Sequence, residues 1–169
     1  WILGTVSDVD VTLSAAGSAG NVDEHFTVQI SGGVLQVVVE DAGTGATTTS
    51  SYFNPGAGLN VTLSIDADQG ADTLTVDYST GTIPAIIEFN IDTVNDADAD
   101  GVRLIGTGGN AAFVPTLDAQ GRREFTIDTT NTVFVSTVAG GAFPTVEVEN
   151  QSSFTFTSDQ TTDDFELNL

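Results

Sequence analysis

The chain has 169 residues, with 24 acidic side chains against three arginines and no lysine, a formal charge of -21. A length of this order suits one domain with a core of its own, and the charge argues against nucleic acid, because neutralising phosphates takes clustered Lys and Arg and only Arg103, Arg122 and Arg123 are present. Cysteine is absent, which excludes disulfides and thiolate metal sites and leaves oxygen ligands and the single His25 as metal chemistry.

No run of about 18 apolar residues exists, so membrane insertion is not expected, and an anionic membrane surface would repel the chain. Apolar and polar residues alternate in segment after segment, and helical spacing is nearly absent. In chain order the alternation predicts strands over 9–13, 26–30, 34–39, 59–65, 74–78, 86–91, 125–128, 133–135, 146–149, 154–156 and 165–169. Thr and Val fill these strands, while Gly, Asn, Asp and Ser clusters at 42–51, 54–58 and 106–110 separate them. The Thr-rich stretch 47–50, with Gly43 and Gly45, reads as a mobile loop. Gly32-Gly33 and residues 139–142 read as hairpin turns. No shift in composition marks a boundary, so residues 1–169 read as one all-β domain.

A weak repeat bears on architecture. In three ungapped segments an acid (Glu24, Asp72, Asp163) stands two residues before a large apolar residue (Phe26, Leu74, Phe165) that opens an alternating strand. The acids are expected at equivalent corners with the apolar residues pointing inward. Such a repeat predicts a parallel β-helix or β-solenoid with inserted loops. The hairpin turns suit an antiparallel β-sandwich, which is the alternative.

Asp68-Gln69-Gly70-Ala71-Asp72-Thr73-Leu74-Thr75-Val76 and residues 158–169 resemble degenerate haemolysin-type (RTX-like) calcium repeats, G-G-x-G-x-D-x-U-x, of large acidic bacterial cell-surface proteins. Gly70, Asp72, Leu74 and the alternation match in the first segment, and Thr161 replaces a glycine in the second. The resemblance implies stacked turns holding calcium between coils, with Asp72 as a ligand and Leu74 in the core.

Independently of that resemblance, Asp96, Asp98 and Asp100 alternate ahead of Gly101. This spacing puts three carboxylates on one side of a tight loop, the glycine permits the turn, and Val102 can offer its carbonyl, as in the first half of an EF-hand loop. The second half is missing, since Thr107 stands where the bidentate Glu would be. Calcium is the expected ion, and an acidic hairpin turn that binds nothing is the plainer reading. Asp66, Asp68 and Asp72 form a second acidic group that could face one ion or simply the solvent. The bias toward Asp, 17 against 7 Glu, suits turns and metal loops, whereas the loss of lysine suits a solvating coat for high salt. His25 reads as a surface imidazole near acids. Arg122 and Arg123 could clamp an acidic sugar, but a local pair with Asp118 or Glu124 is the simpler account. Asn60-Val61-Thr62 and Asn150-Gln151-Ser152 match the glycosylation triplet.

Trp1 opens the chain without a Met, which reads as a processed product or an excised piece. The strand at 165–169 stops in mid-alternation, so Phe165, Leu167 and Leu169 are expected to seek a partner. That partner would be a copy of the chain or a neighbouring domain of a longer one. The expectation for function is an extracellular or cell-surface structural protein that self-assembles as a filament, lattice or solenoid segment and is stabilised by calcium at acidic turns. The alternatives are an adhesin module binding glycans or surfaces and, more remotely, a polysaccharide lyase or hydrolase. No paired carboxylate stands out to carry the latter's chemistry, and the role is expected to be non-enzymatic.

Overall fold

The computed structural model describes residues 10–17, 22–52, 60–67, 69–90, 100–114, 118–136 and 144–156. Its strands come in a regular order. The pair β1 (Asp10–Ala16) and β2 (Glu24–Ser31) is followed by a hairpin, β3 (Val34–Asp41) and β4 (Thr47–Tyr52). Next come β5 (Asn60–Asp66) with β6 (Thr73–Asp77), then β7 (Ile86–Asn90) with β8 (Gly101–Ile105). A second hairpin, β9 (Asn110–Val114) and β10 (Arg122–Ile127), precedes β11 (Asn131–Ser136), β12 (Thr145–Glu149) and β13 (Ser153–Phe156). A 3-10 turn, Tyr78–Thr80, capped by the Asp77 side chain, is the helical element among the described residues.

The strands form two mixed sheets, and neither closes. Sheet one has the order β1-β5-β7-β11-β10-β9-β13 and sheet two the order β12-β8-β6-β2-β3-β4. Within sheet one, β1, β5, β7 and β11 are mutually parallel neighbours. Within sheet two, β2, β6, β8 and β12 are likewise parallel neighbours. The hairpins add their antiparallel strands beyond these parallel blocks, β3 and β4 next to β2, β10 and β9 next to β11. The all-β expectation is met, and two open facing sheets fit a sandwich and a coil alike.

Alternation makes each sheet one-sided. Phe26, Leu74, Val102 and Val146 are Cα partners across sheet two, and Val28, Val76, Leu104 and Val148 form the next such column; all are buried. Sheet one answers with Leu63, Ile87 and Val133, then Ile65, Phe89 and Val135. These columns face one another, with Phe26 edge-on to Phe89 at 6.0 Å between ring centres. At the far end of sheet one, Phe113 and Phe125 stack at 4.5 Å. Neighbouring strands lie about 4.8 Å apart, so each column is a continuous apolar ridge.

The turn at Gly32-Gly33 is the expected two-residue hairpin. Both glycines have φ values of 60° and 79°, the left-handed region that such a turn demands. The segment 47–50 is not a loop. Its threonines are β-branched and pair with β3 from Glu40↔Thr47 to Val37↔Ser50, so it forms the outer strand β4. Strands β8 and β9 were absent from the sequence reading, because Gly101 looked like a loop glycine and Asn110 lies at the end of a glycine cluster.

Removing the ring at the centre of the inter-sheet contact should be costly. Phe26→Ala is expected to lower unfolding stability by about 3–5 kcal/mol in urea titration, while Thr27→Ala on the outer face should stay within about 0.5 kcal/mol. Equal losses would show that the inward and outward faces are assigned wrongly.

Candidate functional site

The chain passes from sheet one to sheet two at a corner marked by acids. Glu24, Asp72 and Asp100 each immediately precede a column of Cα partners, His25↔Thr73 and Thr73↔Gly101. Asp72 Oδ1 accepts the Glu24 N–H at 2.9 Å, and Asp100 Oδ1 in turn accepts the Asp72 N–H at 3.0 Å. The Asp72 carbonyl accepts the Gly101 N–H at 2.8 Å, and the Asp100 carbonyl accepts that of Thr145 at 3.1 Å. Asp23 adds a bond in the other direction, its Oδ1 accepting the Ala71 N–H at 2.9 Å. Carboxylates here act as acceptors for backbone groups that a strand start leaves unpaired.

The segments leading into β2 and β6 approach closely at this corner. Gly70 has φ 130°, and a Cβ there would sit 2.5 Å from the Val22 carbonyl oxygen. A glycine is required by contact as well as by backbone angle.

Asp72 is 1% exposed. Burial drives its pKa up to about 7; the Glu24 N–H opposes the shift, and the charges of Asp100, Glu24 and Asp23 add to it. Glu24 is buried beside it at 2% exposure.

The acids expected to bind metal divide between places. Asp72 and Asp100 are brought together at the corner. Asp66 is exposed at the end of β5, where its Oδ1 accepts from Asn90 Nδ2 at 2.6 Å in a separate network continued by Ser136 Oγ to Asn90 Oδ1 at 2.7 Å. Val102 lies within β8, its side chain buried and its backbone flanked by β6 and β12. Asp68, Asp96, Asp98, Phe165, Leu167 and Leu169 lie outside the described residues, as does the third repeat acid, Asp163. Among the described residues, no group of three His, Asp or Glu side chains could hold a metal ion. His25 is exposed opposite Glu40.

A second carboxylate organises the opposite end of the sheet-two strands. Asp128, at φ 52° in the β10–β11 turn, accepts from the Thr107 N–H at 2.9 Å, the Gly109 N–H at 2.9 Å and Gln151 Nε2 at 3.0 Å. Burial opposes its ionisation, but the bonds from Gln151, Gly109 and Thr107 outweigh it and hold the pKa below the ordinary value. The sequence reading missed this residue. Its signal was the run Asp128-Thr129-Thr130-Asn131 between two apolar stretches, a turn composition.

The arginines are locally engaged. Arg122 donates to Asp118 from both Nε, at 2.8 Å, and its backbone N–H, at 2.9 Å; it also pairs with Glu88 and lies over the Phe134 ring. Arg103 grips Glu149 with two bonds of 2.6 and 2.9 Å.

The chain matches no known protein family, no curated protein and no solved structure.

The raised pKa of Asp72 has a signed consequence. Between its ordinary 3.8 and about 7, the folded chain keeps a proton that the unfolded chain has released, so this group lowers stability as pH rises through that window. The loss is of order 4 kcal/mol at about 1.4 kcal/mol per unit. Carboxylates held below their ordinary values, Asp41, Asp118, Asp128 and Glu149, work in the opposite sense at lower pH. Asp72→Asn keeps an acceptor for the Glu24 N–H and should flatten the window from pH 4 to 7, leaving the variant more stable than the parent at pH 8. Urea midpoints across pH measure this, and an unchanged slope would assign the titration to another group.

Proposed function

We propose that this chain is an extracellular structural protein, a flattened parallel β-coil of stacked turns with two inserted hairpins, that assembles at a cell surface and is stabilised by calcium at its acidic corner. One observation carries the reading. The chain alternates between the sheets, β1 to β2, β5 to β6, β7 to β8 and β11 to β12, and each pair stacks in order and in parallel on the one before. Stacking of this kind makes each turn contact its neighbours along one direction, which suits a scaffold.

Self-assembly is supported by the outer strand β4. Its six residues, Thr47–Tyr52, carry no charge and are largely exposed. Uncharged outer strands offer backbone groups for pairing with another chain. In a molecule of charge -21, uncharged outer strands such as β4 and β13 are where a second copy would meet little local repulsion.

Calcium is supported by electrostatics rather than by an assembled ligand set. Both acidic stretches run into one corner, the first at Asp72 and the second at Asp100. Their Oδ1 atoms hold backbone N–H groups, so an ion there would need further oxygens, and Asp68, Asp96 and Asp98 are the acids that precede them in the sequence. Calcium takes six to eight oxygens, and its charge would offset the burial, and the neighbouring acids, that raise the pKa of Asp72. A structural role, not catalysis, is what this arrangement serves.

Thermal unfolding with light scattering in parallel tests the reading, in chelator, in millimolar calcium and in molar sodium chloride. A site-bound ion stabilises by mass action, about 2.7 kcal/mol at a hundredfold excess over Kd, whereas monovalent salt only screens. The expected result is a higher midpoint and new scattering with calcium, both reduced in Asp98→Ala. Stabilisation by sodium chloride alone would reduce the acids to a solvating coat and sink the calcium proposal.

A further inference from the structure

Beyond the acidic corner, the opposite end of the sheet-two strands carries a cleft of about 430 Å³ between the segments 78–82 and 128–131. Its volume falls in the range of about 300–1,000 Å³ usual for small-molecule sites. Three kinds of group line it. Tyr78 is 2% exposed, and its hydroxyl is buried without a hydrogen-bond partner among the described residues. An idle buried hydroxyl is destabilising, and a phenylalanine would fill the same ring space without it. Asp128 stands on the other side, near enough that its charge acts on Tyr78. Its carboxylate is already fixed by Thr107, Gly109 and Gln151, so it would meet a ligand without reorganising. Hydroxyls of Thr82 and Thr130 and the amide of Asn131 complete the polar lining.

A groove of mixed lining adjoins this cleft and shares Thr130 and Asn131 with it. It has a volume of about 210 Å³ and is lined also by Thr132 and by Val61, Ile83, Pro84 and Ile86; Val61 and Ile83 are buried, so its apolar surface comes from the half-buried Pro84 and from Ile86, which is 40% exposed. A ligand spanning both must have one face rich in hydroxyls and another of C–H groups. An anion is disfavoured, since neither cleft is lined by Arg or Lys and Asp128 is negative. A divalent cation is disfavoured too, because Asp128 is the only acid among the lining residues. We propose that this cleft binds a neutral sugar unit, with its hydroxyls on Asp128, Asn131 and the threonines and its C–H face on Pro84 and Ile86. The site holds whether or not the chain assembles.

The test is an NMR titration of the isotope-labelled full chain with the methyl glycosides of glucose, galactose, mannose and N-acetylglucosamine, with glucuronate as the anionic control. At least one neutral glycoside should give saturable shifts centred on residues 79–82, 107–109 and 128–131, and glucuronate should give none. Thr130→Trp, at an exposed turn position, should fill the cleft and abolish the shifts. Asp128→Asn should weaken binding about tenfold, while Tyr78→Phe, which removes a hydroxyl buried away from the cleft, should leave binding unchanged and hold the thermal midpoint at or above the parent's. No saturable shift with any neutral glycoside, shifts that survive Thr130→Trp, or tighter binding of glucuronate would each overturn the assignment.

Discussion

The register of sheet two rests on the backbone and carboxyl of Asp72. Its Oδ1 holds the Glu24 N–H, its own N–H is held by Asp100, and its carbonyl receives the Gly101 N–H. Three strand starts are therefore tied to one another by hydrogen bonds at the corner. A slip of one residue would turn Phe26, Leu74 and Val102 out to solvent together. The core columns thus depend on corner hydrogen bonds, and those bonds depend on a carboxyl that is both buried and surrounded by other acids.

The two ends of the sheet-two strands use the same device with opposite electrostatic results. Asp128 accepts two backbone N–H groups and one amide, and its charged form is favoured. Asp72 accepts one N–H in a drier place with three acidic neighbours, and its neutral form is favoured. Depth of burial, donor number and neighbouring charge decide the sign, not the residue type. One end of the strands is consequently indifferent to pH near neutrality, and the other is sensitive to any change in protons or cations.

Much of this fold was legible in the sequence, because alternation is a local property and most strands carry it. The pairing of Glu24 with Asp72 was legible as well: the 48-residue offset is the separation across which Asp72 Oδ1 meets the Glu24 N–H, and Phe26 is indeed the Cα partner of Leu74. The next repeat of this step was hidden. Asp100, Gly101 and Val102 repeat the acid-to-apolar step, but three alternating aspartates before a glycine look like an ion loop, and that stronger local pattern masked a strand. Unequal spacing obscured it further. The offset from Asp72 to Asp100 is 28 residues, against 48 for the preceding step, and the difference is the β3–β4 hairpin inserted between β2 and β5. The cleft near Asp128 was not legible, because it joins segments around 78, 107, 128 and 151 that only the topology brings together.

Acidity then limits how such a molecule can meet another copy of itself. Arg103 is committed to Glu149, Arg122 to Asp118 and Glu88, and Arg123 stands in the inward row of β10 with its Nε buried. With no lysine, these are all the fixed side-chain cations the chain has. Two copies cannot therefore recognise each other mainly through exchanged salt bridges, and their long-range interaction is repulsive. Contact must come instead through groups that carry no charge, namely the backbone of an outer strand such as β4 or an apolar surface, once ions in solution have lowered the repulsion. Screening by monovalent salt would allow such contact anywhere on the surface. An ion bound at the acidic corner would also stabilise the fold itself, coupling folding to association through the residues that set the register.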